Sequence, residues 1–340
     1  MTQAPRHPTI RARRAPSVSF PEPATDPSIL QAYLDDASGN PPGRAAGLLR
    51  PSSGDEAASW LRATASAGIP VLPQAARSSL TGGAVPAGEV VLSVEKLGSI
   101  GSVSGGAEDA RVRVGAGVRL DELQTHLAES GFYYPPVPTH QEAMIGGTVS
   151  TNAGGAATFK YGVTRQWVRG LRVLLWNGDA LDLERGERVE RRGGEFRILL
   201  SDGREARVPV PTYRLPDLKK MSAGYHASDP MDLVDLFVGA EGTLGLITEV
   251  EIGLVPLPAS VVAGLAFVRD AEALLALAGD LREAALAARR DRDSRGPDVR
   301  AIEMMDGRSL ALLREHGDAR RLRVEIPPEA GAALLFEMEL

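Results

Sequence analysis

Apolar positions recur along this chain with two periods, and the switches between them mark out its elements. Residues 55–67 (DEAASWLRATASA) carry helical spacing, with Ser53 or Gly54 at the N-cap and Gly68 just past the end. A short buried strand over 69–72 follows, then a polar, small-residue loop over 73–86, PQAARSSLTGGAVP, and a strand over 90–94. Residues 111–114 predict a strand closed by Gly115-Ala-Gly117, and 120–130 a helix with Leu120, Leu123 and Leu127 on one face. A strand over 170–176 runs into Asn177-Gly178, a strong hairpin signal. Residues 196–200 and 207–210 predict a second hairpin about the turn 201–204, and 231–238 are apolar. In 247–254, Val250, Ile252 and Leu254 share one face of a strand; Pro256 and Pro258 then mark a domain boundary.

Beyond that boundary strand and helix alternate: strands over 261–268 and 299–304, helices over 270–290 and 306–316, and a last strand over 332–340. Such alternation predicts an α/β arrangement. The last strand, AALLFEMEL, is apolar to the final residue, so it reads as cut short, with an apolar edge that no later element covers. At the other end, residues 1–43 are rich in proline and lack periodicity apart from one short helix near 28–37, which predicts a loose arm.

Composition narrows the function classes. At 340 residues the chain exceeds the ~250–300 at which one core usually divides into domains. The 37 glycines and 24 prolines suit many short strands and tight turns. A net charge of −6 argues against broad nucleic-acid binding, yet a local Arg or Lys can still decide for an anionic substrate. With no cysteine, the chain cannot build a disulfide, a thiolate nucleophile or an iron–sulfur cluster, so electron transfer needs an organic cofactor or a partner's metal centre. No apolar run reaches the ~18 residues of a membrane span. Arg11, Arg13 and Arg14 are followed by polar residues where a signal peptide would be apolar, which leaves a cytoplasmic location as the expectation.

The chemistry concentrates in 143–155, AMIGGTVSTNAGG, where four glycines alternate with small polar side chains and Ile145 and Val149 act as apolar anchors. Such a run lets backbone lie against a large polar ligand, with successive N–H groups forming an anion-binding concavity. A tight strand-to-helix turn without a ligand is the alternative. Neither GxGxxG nor GxxxxGK[ST] occurs, and Gly239-Ala-Glu-Gly242-Thr-Leu-Gly245 has the wrong spacing for a Rossmann turn.

Four blocks in order carry a resemblance: PQAARSSLTGGAVP, YPPVPTHQEAMIGGTVSTNAGG, KYGVTRQWVRGLRVLLWNG and GAEGTLGLITEVEIGLVPLP. Together they resemble the FAD-linked oxidases with a vanillyl-alcohol-oxidase or p-cresol-methylhydroxylase type FAD-binding domain, in the branch of D-lactate dehydrogenase and the glycolate oxidase large subunit. The resemblance is close over 44–258 and weak beyond. It implies an α+β FAD-binding domain of two α+β subdomains over 44–258, preceded by the arm 1–43 and followed by a partial α/β cap over 259–340.

The resemblance also implies roles. Gln74, Ala75, Ala76, Arg77, Ser78 and Ser79, with Thr81 and Gly82, would wrap the FAD pyrophosphate with backbone N–H groups. The family often has glycine where this chain has Ala75, Ala76 and Arg77; alanine is tolerable there if φ is negative, and Arg77 would add a cation near the phosphates. Pro138, Thr139, Ile145, Gly146, Gly147, Ser150, Thr151, Asn152, Ala153, Gly154 and Gly155 would form the wall along ribityl chain and flavin. Glu241 and Ile247 would hold the adenosine end, the alternatives being a turn carboxylate and plain strand core. Some relatives attach FAD through a histidine of the pyrophosphate loop. None occurs in 74–83, and His140 lies in another block, so FAD is expected to be non-covalent. Lys219, Lys220, Tyr225 and His226 resemble a loop facing the flavin; Lys220, Tyr225 and His226 are the catalytic candidates, against a solvated basic loop. No metal ligand set is expected within the chain.

The activity implied is dehydrogenation of a 2-hydroxy acid of D-lactate or glycolate type by hydride transfer to flavin N5. Electrons would pass on to a quinone, a cytochrome or an iron–sulfur partner subunit. An alkyl-dihydroxyacetonephosphate synthase-like enzyme, an aryl-alcohol oxidase, or a non-catalytic FAD-binding fragment are the rival readings.

Overall fold

The computed structural model describes residues 9–340 except Val137, Lys219 and Ser294. The chain divides into two compact units, one running to Ala153 and resuming at Val163–Pro256, the other joining Gly154–Gly162 to Leu257–Leu340.

The first unit contains a three-stranded parallel sheet in the order β3 (Gly47–Leu49), β5 (Val90–Ser93), β4 (Val71–Gln74). Helix α1 (Gly54–Ser66) makes the crossover. It starts where the Ser53 hydroxyl accepts from the Glu56 N–H at 3.1 Å, and Asp55 and Glu56 complement the helix dipole. Its Ala57, Ala58, Trp60 and Leu61 bury against Leu49, Val90 and Leu92. The parallel arrangement leaves the 75–86 loop at the carboxyl end of β4, a place where α/β sheets bind ligands.

A larger antiparallel sheet of this unit has the order β2 (Arg13–Arg14), β8 (Asp179–Glu184), β7 (Val168–Leu174), β11 (Leu246–Gly253), β6 (Arg111–Gly115). Alternation along its strands, interrupted where β11 shifts register against β7, gives it two unlike faces. Val112, Val114, Leu171, Val173, Leu181, Val250 and Ile252 bury with Leu120, Leu123 and Leu127 of α2 (Leu120–Glu129). The opposite face carries charges paired from strand to strand: Arg13 with Asp182 (3.8 Å), Asp182 with Arg172 (2.7 Å), Arg172 with Glu249 (2.8 Å), Glu249 with Arg113 (3.7 Å).

The described part of the N-terminal segment is not a loose arm. β1 (Ile10–Arg11) pairs in parallel with β9 (Glu195–Leu199), which forms the expected hairpin with β10 (Glu205–Pro209); β2 pairs with β8. Ile10 and Ala15 are buried. Two-residue strands are too short to show a period, which is why the pattern concealed them.

The second unit is an antiparallel sheet, where alternating strand and helix had predicted α/β. Its order is β12 (Val261–Val268), β14 (Ala332–Glu339), β13 (Val299–Asp306). The 21-residue helix α6 (Ala271–Asp291) carries the chain from β12 to β13, leaving a gap that β14 fills antiparallel to both. The expected uncovered apolar edge is therefore the central strand. Leu274 of α6 packs on Ala332 and Leu334, and Leu310 of α7 (Gly307–Glu315) packs with Ala333 on the other face. Helix α4 (Thr158–Tyr161) belongs to this unit because Lys160 pairs with Asp298 and Glu339, and the Tyr161 hydroxyl donates to Glu339.

Candidate functional site

Gln74 is the last residue of β4 and is only 2% exposed. Its Nε2 donates to the carbonyls of Tyr33 (2.9 Å) and Ala84 (2.6 Å), which closes the loop 75–83 at its base. Its Oε1 is buried without a hydrogen-bond partner. Ala75 to Ser79 are half-buried, and among the described residues their five N–H groups donate to no protein acceptor. Successive unsatisfied N–H groups in a half-buried loop suit an anionic ligand.

Ala75 and Ala76 are absent from the left-handed region, whereas Arg77 has φ +56°. The Arg77 guanidinium stands 5.0 Å from the centroid of the Tyr33 ring. Ser79 and Thr81 share a hydroxyl–hydroxyl bond of 3.0 Å, and Gly82 takes φ +79°.

The glycine-rich run folds as a short helix, α3 (Ile145–Ser150), with Ile145 and Val149 in the core. A Cβ on Gly146 would lie 2.6 Å from the Ala116 Cβ, so this glycine is required by protein packing. A Cβ on Gly147 would lie 3.1 Å from the Ala75 Cβ, which sets the run directly against the pyrophosphate-loop candidate. The Ser150 and Thr151 hydroxyls turn inward to the carbonyls of Gly146 (2.7 Å) and Gly147 (3.0 Å). The Ser150 carbonyl accepts from the Glu241 N–H at 2.8 Å, bringing the third segment in. Glu241 has φ +51°, and its carboxylate lies 3.9 Å from where a Gly83 Cβ would stand. The space beside Gly83 therefore lies between Glu241 and the loop.

Asn152, at φ +48° and buried, donates from Nδ2 to the Met221 carbonyl (2.9 Å) and accepts at Oδ1 from the Arg165 N–H (2.9 Å). The Ala153 carbonyl accepts from both Thr164 donors. Gly154 and Gly155 are half-buried and belong to the second compact unit. Ile247 is a core residue of β11, paired with Val173. Pro138 and Thr139 lie in the loop before Met144, Pro138 half-buried and Thr139 exposed.

Of the catalytic candidates, Lys220 is exposed, and Lys219 lies outside the described residues. Tyr225 is 44% exposed; its hydroxyl meets the Thr243 hydroxyl at 2.8 Å, and its carbonyl accepts from Tyr213. His226 is half-buried; burial, then the Arg165 guanidinium, lowers its pKa, with Asp235 pulling the other way. Its imidazole is thereby held neutral at pH 7.

Behind these residues stands a cluster that no motif announced. Asp235, on the short helix α5 (Val234–Phe237), accepts from Arg165 Nη1 (3.0 Å) and from Arg185 Nη2 (3.0 Å) and Nη1 (3.1 Å). Burial alone would raise the Asp235 carboxyl, but Arg185 and then Arg165 bring it below the ordinary range. Arg165 also donates to the Val238 carbonyl, beside Gly239 at φ +81°. Three residues spaced over 70 positions, each conventional in its own local sequence, leave no pattern to read.

Among the described residues no group of three His, Cys, Asp or Glu side chains is placed to hold a metal, and no helix is long and apolar enough to cross a membrane.

Residues 45–184 match the model of the FAD binding domain family. The chain is 33% identical over 216 residues to a D-lactate dehydrogenase of Anaerostipes hadrus, covering 63% of this chain and 37% of that protein. It is 28% identical over 294 residues to glycolate oxidase subunit GlcD of Bacillus subtilis, 86% of this chain and 51% of the relative. A D-2-hydroxyglutarate dehydrogenase of Xanthomonas citri pv. viticola is 34% identical over 197 residues, 57% and 41% of the two chains. This chain thus spans about half the length of these relatives or less. The unsatisfied loop N–H groups and buried Gln74 Oε1 fit a large polar cofactor rich in acceptors and hydroxyls. Residues 45–184 are therefore an FAD binding domain with FAD as its cofactor, in a chain that is similar in part to D-lactate dehydrogenase and to glycolate oxidase subunit GlcD.

Proposed function

We propose that this chain supplies the FAD-binding part of an oxidoreductase that dehydrogenates a 2-hydroxy acid of D-lactate or glycolate type, with FAD held non-covalently. The observation that carries it is the row of N–H groups from Ala75 to Ser79 without protein acceptors, set against the glycine run through Gly147 and Ala75. In this reading residues 44–258 form an FAD domain of two α+β subdomains and 259–340 part of a cap. The loop 74–82 takes the pyrophosphate, Glu241 the adenosine end, and the segment 145–155 the ribityl chain and flavin. Bound FAD supplies the hydride acceptor.

The chain's own groups supply proton handling. His226, kept neutral by burial and by the Arg165 charge, is the group able to take a hydroxyl proton, since a protonated imidazole has no free lone pair. Tyr225 and Lys220 are the next candidates, as hydroxyl donor and as cation for a carboxylate. A quinone, a cytochrome or an iron–sulfur partner subunit would then accept the electrons, in the cytoplasm. A non-catalytic FAD-binding protein is the second reading.

Anaerobic mixing of the FAD-loaded protein with D-lactate, glycolate or D-2-hydroxyglutarate separates the two. Bleaching of the flavin band by one of these acids supports the oxidoreductase. A protein that binds FAD but bleaches with none of them supports the second reading. Flavin left in the washed pellet after acid precipitation would refute non-covalent attachment.

A further inference from the structure

The cofactor loop has little internal structure to hold its shape. Between Ala75 and Ala84 its ordered backbone bonds within the described residues are few, and its N–H groups from 75 to 79 make none to protein. The loop is shaped instead by the preceding segment, residues 33–40. Gln74 Nε2 reaches the Tyr33 carbonyl, the Ala37 N–H donates to the Arg77 carbonyl at 3.1 Å, and the Ala84 N–H donates to Asp36 Oδ2 at 3.3 Å. Gly82 faces the Asn40 side chain, so closely that a Cβ would come 2.5 Å from its Nδ2.

This segment is itself anchored. The Tyr33 ring is buried with Leu48 and Val91, and its hydroxyl donates to Glu95, whose carboxylate also pairs with Arg50 at 3.4 Å. The Gly43 N–H returns to the Leu34 carbonyl at 2.7 Å, and the Arg44 N–H to Pro86 at 2.9 Å. Arg77 completes the clasp. Its left-handed backbone is a conformation disfavoured for a long side chain, and its guanidinium lies over the same Tyr33 ring.

We propose that residues 33–37 are a strap that pre-organises the FAD loop, with Tyr33 and Asp36 as positioning residues acting through Gln74, Arg77 and Ala84. The proposal rests on the reading of 74–82 as the pyrophosphate loop. A loop already in its binding shape spares FAD the fraction of molecules that are not, so loosening the strap lowers apparent affinity by that fraction.

The test uses the full chain with Asp36→Ala and, separately, Gln74→Leu. Amide exchange in the FAD-free protein is read at Ala37 and Val85, whose own acceptors (Arg77 and Gly82) are untouched. FAD affinity is read by quenching of flavin fluorescence. Each variant should speed exchange at both amides about fivefold to tenfold, the size of one lost hydrogen bond, and weaken FAD by a similar factor. Exchange at Val250 in the antiparallel sheet should not change. Exchange at Ala37 and Val85 equal to the parent's overturns the strap. Faster exchange with unchanged FAD affinity overturns the loop assignment, and the proposal with it. Should Gln74→Leu not fold, Asp36→Ala, at a half-buried position, still separates these outcomes.

Discussion

The Arg165–Asp235–Arg185 cluster is the place to break the first unit with one atom pair. In Asp235→Asn the shape is kept and the charge removed from between two guanidiniums, Arg165 being only 13% exposed at its side chain. Three charge-assisted side-chain bonds, of 3.0, 3.0 and 3.1 Å, are weakened or reversed. Removing one partner of a buried ion pair costs about 3–5 kcal/mol. Here the loss should fall at the lower end, about 3 kcal/mol, because both arginines keep carbonyl acceptors: Val238 and Asp235 for Arg165, Val168 for Arg185. Trp60, Trp167 and Trp176 all belong to the first compact unit, so tryptophan fluorescence in urea reports that unit alone. The difference between variant and parent should persist in 1 M sodium chloride, about one order above the ionic strength that screens surface charges. A loss below about 1 kcal/mol, or one that disappears in salt, would refute the reasoning and make the cluster an ordinary solvated pair.

Other consequences are as direct. Gly146→Ala, whose Cβ would meet Ala116 at 2.6 Å, should lower the first unit's stability by about 1–3 kcal/mol and release FAD, measured by thermal melting and visible absorbance. Gly98→Ala, with nothing within 4 Å, is the matched control and should retain both. Glu339→Gln, facing Lys160 and Tyr161 with 8% of its side chain exposed, should speed amide exchange in β14 by about fivefold to tenfold, since Lys160 keeps Asp298 but loses the second of its two carboxylates; unchanged exchange would mean the α4 contact contributes nothing. His226 titrates below its unfolded value, so the unfolded chain binds more protons between the two pKa values. Its contribution is thus intact above about pH 6.5 and shrinks as pH falls toward the folded pKa. His226→Gln should flatten the urea midpoint over that window, and the same slope in both proteins would rule the histidine out.

Most regular elements could be read from the sequence because each carries its own signal. The helix at Gly54–Ser66 has its cap and alanine face, and the strand at Leu246–Gly253 its alternation. The glycine run and the loop after β4, in their order along the chain, pointed to the FAD binding domain that residues 45–184 match. What escaped was long-range. Lys160 and Tyr161 follow the glycine run in sequence yet pack with residues near 298 and 339, a contact that no local pattern encodes. Antiparallel β14 between β12 and β13 was hidden because alternating strand and helix is equally compatible with a parallel sheet. Tyr33 and Asp36 fall in the short helical stretch near 28–37, whose local pattern does not say that it reaches the loop at 74–84. That Gly146 packs against Ala116 was likewise hidden, since a glycine reports close approach without saying to what.

The charged face of the antiparallel sheet restricts how this chain can change over generations. Glu249 touches both Arg172 and Arg113, and Arg172 touches Asp182 as well, so reversing the sign of Glu249 or of Arg172 sets like charges against two neighbouring strands. A repair at one neighbour leaves the other mismatched. These four positions, far apart in the sequence, are therefore bound to drift as a set or to lose charge together, and a lineage that neutralised them would expose a bare sheet face ready to accept a new covering element.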